Sequence, residues 1–197
     1  MKIVFLALAI FLLSGCSITH PAMTDYRIDP NVKPPVTTGG CKKHSIKVSP
    51  VFANSSLNST AMRYSVGRYK EYTFTESAWA DTPSRLITNK LVNVLNGSGM
   101  FEGVYGYKSS NSGDLILEMR INEFIQSFNE SENSSDAKID ISFNLIERKS
   151  GKLLASKNFV KVMQTKTADA KGGVEALNIL LGEVLEDTVL WLSGSER

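Results

Sequence analysis

Two cysteines, Cys16 and Cys41, and two histidines, His20 and His44, are the whole stock of thiol and imidazole groups in this 197-residue chain. A structural zinc site takes four ligands of this kind at short, paired spacings. None of these residues has a ligand-spaced partner, so neither a metal centre nor a disulfide framework is expected. Serine nucleophiles of the α/β-hydrolase kind sit in Gly-x-Ser-x-Gly directly after a strand. The nearest string, Gly97-Ser98-Gly99, instead closes a helical pattern and reads as a C-cap. A phosphate loop needs Gly-x-x-x-x-Gly-Lys-Ser/Thr, and neither Ser150-Gly151-Lys152 nor Lys171-Gly172-Gly173 has that spacing. The acidic pairs Glu130/Glu132 and Glu183/Glu186 fall in a polar stretch and on the wet side of a helical pattern, where solvated charge is the simplest reading. No catalytic residue and no cofactor is expected.

The one reactive group with a defined context is Cys16. Met1-Lys2 is followed by an apolar run over residues 3–13 and then Ser14-Gly15-Cys16. That order, a charged start, a short hydrophobic stretch and small residues, is a secretory signal. It is too short to span a bilayer, which takes about 20 apolar residues. Leu13-Ser14-Gly15-Cys16 resembles the bacterial lipobox, in which the cysteine sulfur receives diacylglycerol, the chain is cleaved before it, and the new amino group is acylated. The expected organisation is therefore a signal peptide over 1–15, a lipidated Cys16 with a flexible tether over 16–43, and one domain over 44–194. Several acyl chains on one residue exceed the two-signal threshold for stable anchoring. Ser17 stands where lipoproteins resembling the enteric type carry Asp for inner-membrane retention, which points to the outer membrane with the domain facing the periplasm. With Cys16 in a thioether, Cys41 is left as an inert free thiol or an intermolecular disulfide.

Charge narrows the partners. Lys and Arg number 22 against 20 Asp and Glu, a net charge of +2, so no field suited to nucleic acid is available. At 42% hydrophobic and 21% charged, the composition is that of an ordinary globular protein.

The tether stretch carries Pro21, Pro30, Pro34, Pro35 and Gly39-Gly40, interrupted by Tyr26-Arg27-Ile28-Asp29-Pro30, a candidate short strand that pairs back onto the domain. Ile46 and Val48 alternate with Lys47 and Ser49 as a first strand. Residues 62–66 and 69–74, separated by Gly67, read as a hairpin or strand-loop pair. Asp81-Thr82-Pro83 supplies a cap and a first-turn proline, and Ile87, Leu91, Val94 and Leu95 form one helical stripe. A short strand is expected over 101–107, with a right-handed crossover if its flanking strands are parallel. Leu115, Leu117, Met119 and Ile121, then Ile139, Ile141, Phe143 and Leu145, alternate with polar residues as two half-buried strands joined by an exposed loop over 129–136. Residues 153–162 complete an antiparallel meander, and Val174, Leu177, Leu181, Val184, Leu185, Thr188 and Leu192 trace a second helix. The fold class expected is α+β: a single domain with a mixed, mainly antiparallel sheet and two amphipathic helices packed on it. Aromatic residues gather at Tyr69, Tyr72, Phe74 and Trp79, which read either as a contact surface for an apolar ligand or partner, or, for Trp79 in particular, as a core anchor or staple.

The string Tyr69-Lys70-Glu71-Tyr72-Thr73-Phe74-Thr75-Glu76-Ser77-Ala78-Trp79-Ala80-Asp81-Thr82-Pro83-Ser84-Arg85-Leu86-Ile87-Thr88, followed after the helix by Ser98-Gly99-Met100-Phe101-Glu102-Gly103-Val104, resembles the ABC-type transport auxiliary lipoproteins of the PqiC type. Ile46-Lys47-Val48-Ser49-Pro50-Val51, Asp114-Leu115-Ile116-Leu117, Phe124, Gly151-Lys152-Leu153-Leu154-Ala155 and the closing stretch Ala176-Leu177 to Trp191-Leu192 add to it. The resemblance implies an envelope lipoprotein that works with an MCE-domain protein and an ABC permease and ATPase to move lipid between inner and outer membranes. ATP chemistry then belongs to those partners, and a homo-oligomeric ring is compatible with the family. A tethered domain of this size also suits another role, a regulatory lipoprotein that activates a periplasmic peptidoglycan synthase.

Overall fold

In a computed structural model describing residues 22–33 and 44–194, the elements follow one another as β1 (Thr24–Tyr26), β2 (Ser45–Val48), β3 (Phe52–Ala53), a 3-10 turn (Ser55–Asn58), β4 (Ala61–Val66), β5 (Lys70–Trp79), α1 (Pro83–Ser98), β6 (Gly103–Tyr105), β7 (Leu115–Phe128), β8 (Ser135–Glu147), β9 (Lys152–Gln164) and α2 (Ala170–Gly194). Cys16, His20, Cys41 and the signal stretch lie outside the described residues.

β7 is the axis. One edge carries the antiparallel meander β7-β8-β9. Along the other edge three successive segments lie parallel to it: β2 opposite Leu115–Leu117, β3 opposite Arg120 and Ile121, and β4 opposite Gln126–Phe128. β5 pairs antiparallel with β4, and β1 pairs parallel with β5, Thr24 opposite Ser77 and Tyr26 opposite Trp79. β6 joins β2 in parallel, so β5 and β6 are not neighbours and the crossover considered from the sequence does not arise between them. The sheet is mixed, with its long ladders antiparallel, as the alternation implied.

Alternation decides which face is covered. Leu117, Met119, Ile121, Ile139, Ile141, Phe143 and Leu145 are buried on one face, beneath α2 and against Ile87, Leu91 and Leu95 of α1. The opposite face is a polar ladder: Asn122 donates to Asp140 and Ser142, and Ser142 to Asn158. Buried hydroxyls on the helices are satisfied by back-bonding, Thr88 to the Ser84 carbonyl and Thr188 to the Val184 carbonyl, each at 2.7 Å. α1 starts at Pro83 and ends at Gly99 with φ 62, which secures the C-cap reading of Gly97-Ser98-Gly99. Thr82 does not cap through its side chain; Asp81 accepts from the Thr82 amide at 2.7 Å and pairs with Arg85.

Residues 22–33, assigned by composition to the tether, are docked. Beyond β1 the segment runs as a strap along α2, with Ile28 only 2% exposed and Pro30 buried. Asn178 clamps it by accepting from the Asp29 amide at 2.6 Å and donating to the Arg27 carbonyl at 3.3 Å. Lys90 pairs with Asp29 at 2.5 Å, and the Lys33 amide donates to Glu186.

Candidate functional site

The aromatic stretch is divided by the direction of β5. Its far end places Trp79 in the core, 5% exposed, with its ring 5.7 Å from that of Phe124. Its near end belongs to the β4–β5 hairpin, whose turn uses Gly67 at φ 59, a left-handed conformation that glycine adopts without strain. Tyr69 stands at the tip, 87% exposed, with the Arg68 guanidinium 5.4 Å from its ring centre. Tyr72 is 46% exposed and Phe74 half-buried. They stack through Tyr64, whose ring centre lies 5.6 Å from Tyr72, 4.4 Å from Phe74 and 5.2 Å from Phe128.

This cluster is one pole of the molecule. The Gly67 amide donates to the Phe128 carbonyl, and Lys70 pairs with Glu130 at 3.1 Å. The start of α2 closes the same end: Asp169 caps it, accepting from the Gly172 amide at 2.7 Å, and the Asp169 carbonyl accepts from buried Gln126 at 3.0 Å. That capping bond, helped by the Thr167 hydroxyl, holds the Asp169 carboxyl below the usual carboxylate range. Gly172 and Gly173 are required here for space, because a Cβ on either would overlap Thr167 or Gln126. A trough of about 520 Å³ opens between β1, β5 and the α2 start, lined by Tyr26, Tyr64, Phe74, Phe128, Asp169 and Lys171.

Sequence reasoning therefore found Tyr69, Tyr72 and Phe74, which the hairpin brings together, and Trp79, which it sets apart. Tyr64 and Phe128 were missed. Both end or interrupt alternating strands, and only the parallel pairing of β4 with β7 makes them neighbours.

Lys161 lies 2.8 Å from Asp187 and 3.1 Å from Glu183, and these pairs hold its ammonium pKa above the ordinary lysine value. Among the described residues no group of three His, Cys, Asp or Glu could hold a metal ion, and no helix is long and apolar enough to cross a membrane.

The described residues form a mixed sheet covered on one face by two helices, with an aromatic cluster at one pole. The model of the ABC-type transport auxiliary lipoprotein component matches residues 26–189, and the chain belongs to that family. The match starts within β1 and takes in the docked strap. A Xanthomonas campestris protein of family DUF330 has a similar structure, with TM-score 0.75 and 16% identity over 87% of this chain and 96% of that one. An uncharacterised protein gives TM-score 0.67 at 12% identity, covering 87% of this chain and 99% of its own. A hypothetical protein from Chlamydia trachomatis gives 0.51 at 7% identity, over 77% of this chain and 96% of that one. At these identities the likeness is one of fold. No curated protein sequence matches this chain.

Proposed function

We propose that the protein is a non-catalytic auxiliary component of an MCE-type ABC transport system that moves lipid between the inner and outer membranes. Cys16 carries the acyl anchor, Ser17 directs it to the outer membrane, and the domain faces the periplasm. The observation that carries this reading is the family match across residues 26–189, almost the whole described domain. The chemistry of the domain supports it. The serine in Gly97-Ser98-Gly99 is consumed in a helix end, donating to the Leu95 carbonyl at 2.7 Å. Three of the four carboxylates singled out in the sequence have partners at the surface: Glu130 pairs with Lys70, Glu183 with Lys161, and Glu186 accepts from the strap. ATP hydrolysis belongs to the partner ATPase, and this chain contributes a docking body whose aromatic pole exposes Tyr69 and Tyr72 above half-buried Phe74.

The test is to delete the domain while retaining the leader and Cys16, then isolate the complex in mild detergent. Loss of this lipoprotein's association with the MCE protein is the expected result. Unchanged co-purification of the anchor fragment with the MCE protein would overturn the reading.

A further inference from the structure

Chain length and strand register together limit how the domain can lie relative to a lipidated Cys16. β1 runs parallel to β5 with Thr24 opposite Ser77, so the chain entering β1 comes from the side on which β5 begins, the side of the hairpin tip. Thr24 lies eight positions after Cys16, and Ser77 eight positions after Tyr69. At no more than about 3.3–3.6 Å per residue, both paths reach at most ~29 Å. A lipidated Cys16 sits at headgroup level, so the bilayer surface lies within ~29 Å of Thr24, a reach comparable with that of the hairpin tip from Ser77. The pairing of β1 with β5 is what makes this tether short, because it fixes the chain from Thr24 onward.

We infer that the hairpin pole rests on the lipid surface that holds the anchor, with Tyr69 and Tyr72 at headgroup depth and the end of the domain at the turn after β8 directed away. This rests on Cys16 being acylated, and it names the partner of the aromatic pole as lipid. The surface chemistry fits. Tyrosine favours the membrane–water boundary, where an apolar ring and a polar hydroxyl are both accommodated. Lys171 lines the trough with Glu132 and Asp169, Arg68 lies over the Tyr69 ring, and Lys70 is paired with Glu130, so three basic groups face three acidic ones and the pole has little net charge. The contact should therefore depend weakly on salt and on anionic lipid.

The experiment is hydroxyl-radical footprinting of the full acylated protein in phosphatidylethanolamine/phosphatidylglycerol vesicles. Tyr107 is the internal reference: it is 42% exposed and follows β6, which joins β2 at the Leu115–Leu117 end of β7, whereas the hairpin joins at Gln126–Phe128. A free Tyr69, 87% exposed, would oxidise faster than Tyr107. The inference predicts the reverse order, with Tyr69 slower than Tyr107 by at least ~3-fold because it is withdrawn from water. It also predicts that about a dozen Gly/Ser residues inserted after His20, which lengthen the tether, restore the free order. Tyr69 oxidising faster than Tyr107 on the native tether, or protection of Tyr107 instead, would overturn it. The mass of the N-terminal peptide reads the anchor independently, and an unmodified Cys16 would overturn the inference as well. Protection of Tyr69 without recovery of an MCE partner would keep this inference and remove the transport reading alone.

Discussion

The two ends of β5 carry aromatic rings put to opposite uses. At one end Trp79 is sealed against Phe124, and its amide is held by the Thr60 carbonyl at 2.8 Å. At the other, Tyr69 and Tyr72 are exposed on the β4–β5 hairpin, which pairs through β4 with the last residues of β7. A ring is retained at the first end by what it buries. At the second, Tyr69 and Tyr72 bury much less of their surface within the chain, and that exposed surface is the one we assign to lipid.

The comparison breaks most directly at Trp79. Trp79→Ala should cost ~3–5 kcal/mol, the usual range for emptying a buried aromatic site. Urea unfolding would measure it, and a loss below ~1 kcal/mol would show that the two ends are not distinct in kind. At the α2 start, Gly173→Ala should cost ~1–3 kcal/mol by forcing Gln126 off Asp169, and should loosen the pole with it. Removing the clamp with Asn178→Ala should cost ~1–2 kcal/mol from its two bonds to the strap. Hydrogen exchange should then rise at residues 27–33 before anywhere else.

Acid sharpens the picture at the same pole. The Gly172 amide lowers the folded pKa of Asp169, so its contribution is complete above the ordinary carboxylate value near 4 and is lost as pH falls through the lower folded value. Melting temperatures taken from pH 6 to 3 should fall at the acid end, and Asp169→Asn should flatten that limb. The smallest effect belongs to Tyr69→Ser, which should change stability by less than ~0.5 kcal/mol because the residue supports nothing in the fold.

Much of this was legible without coordinates because it is local. The stripe of Ile87, Leu91, Val94 and Leu95 gave α1, and alternation through Leu115–Ile121 and Ile139–Leu145 gave the meander and its covered face. What was hidden is long-range. Three short segments lie along one edge of β7 although the partners are separated by about 60–70 residues, and no periodicity encodes that choice. Within the stretch assigned to the tether, Tyr26-Arg27-Ile28-Asp29-Pro30 was read as a candidate strand pairing back onto the domain; the strand lies at Thr24–Tyr26, and residues 27–33 follow it as a docked strap. Only Asn178 and the α2 surface supply the burial of Ile28 and Pro30. Within the aromatic stretch, sequence offered two uses for Trp79, and the direction of β5 places it in the core.

The most direct measurement is affinity purification of the acylated protein from its own cells in mild detergent, with partners and bound lipid identified by mass spectrometry. Recovery of an MCE-domain protein with its permease and ATPase is the predicted result. Recovery of a cell-wall synthase in their place would contradict the transport reading and leave the family match to report the fold and the anchor only.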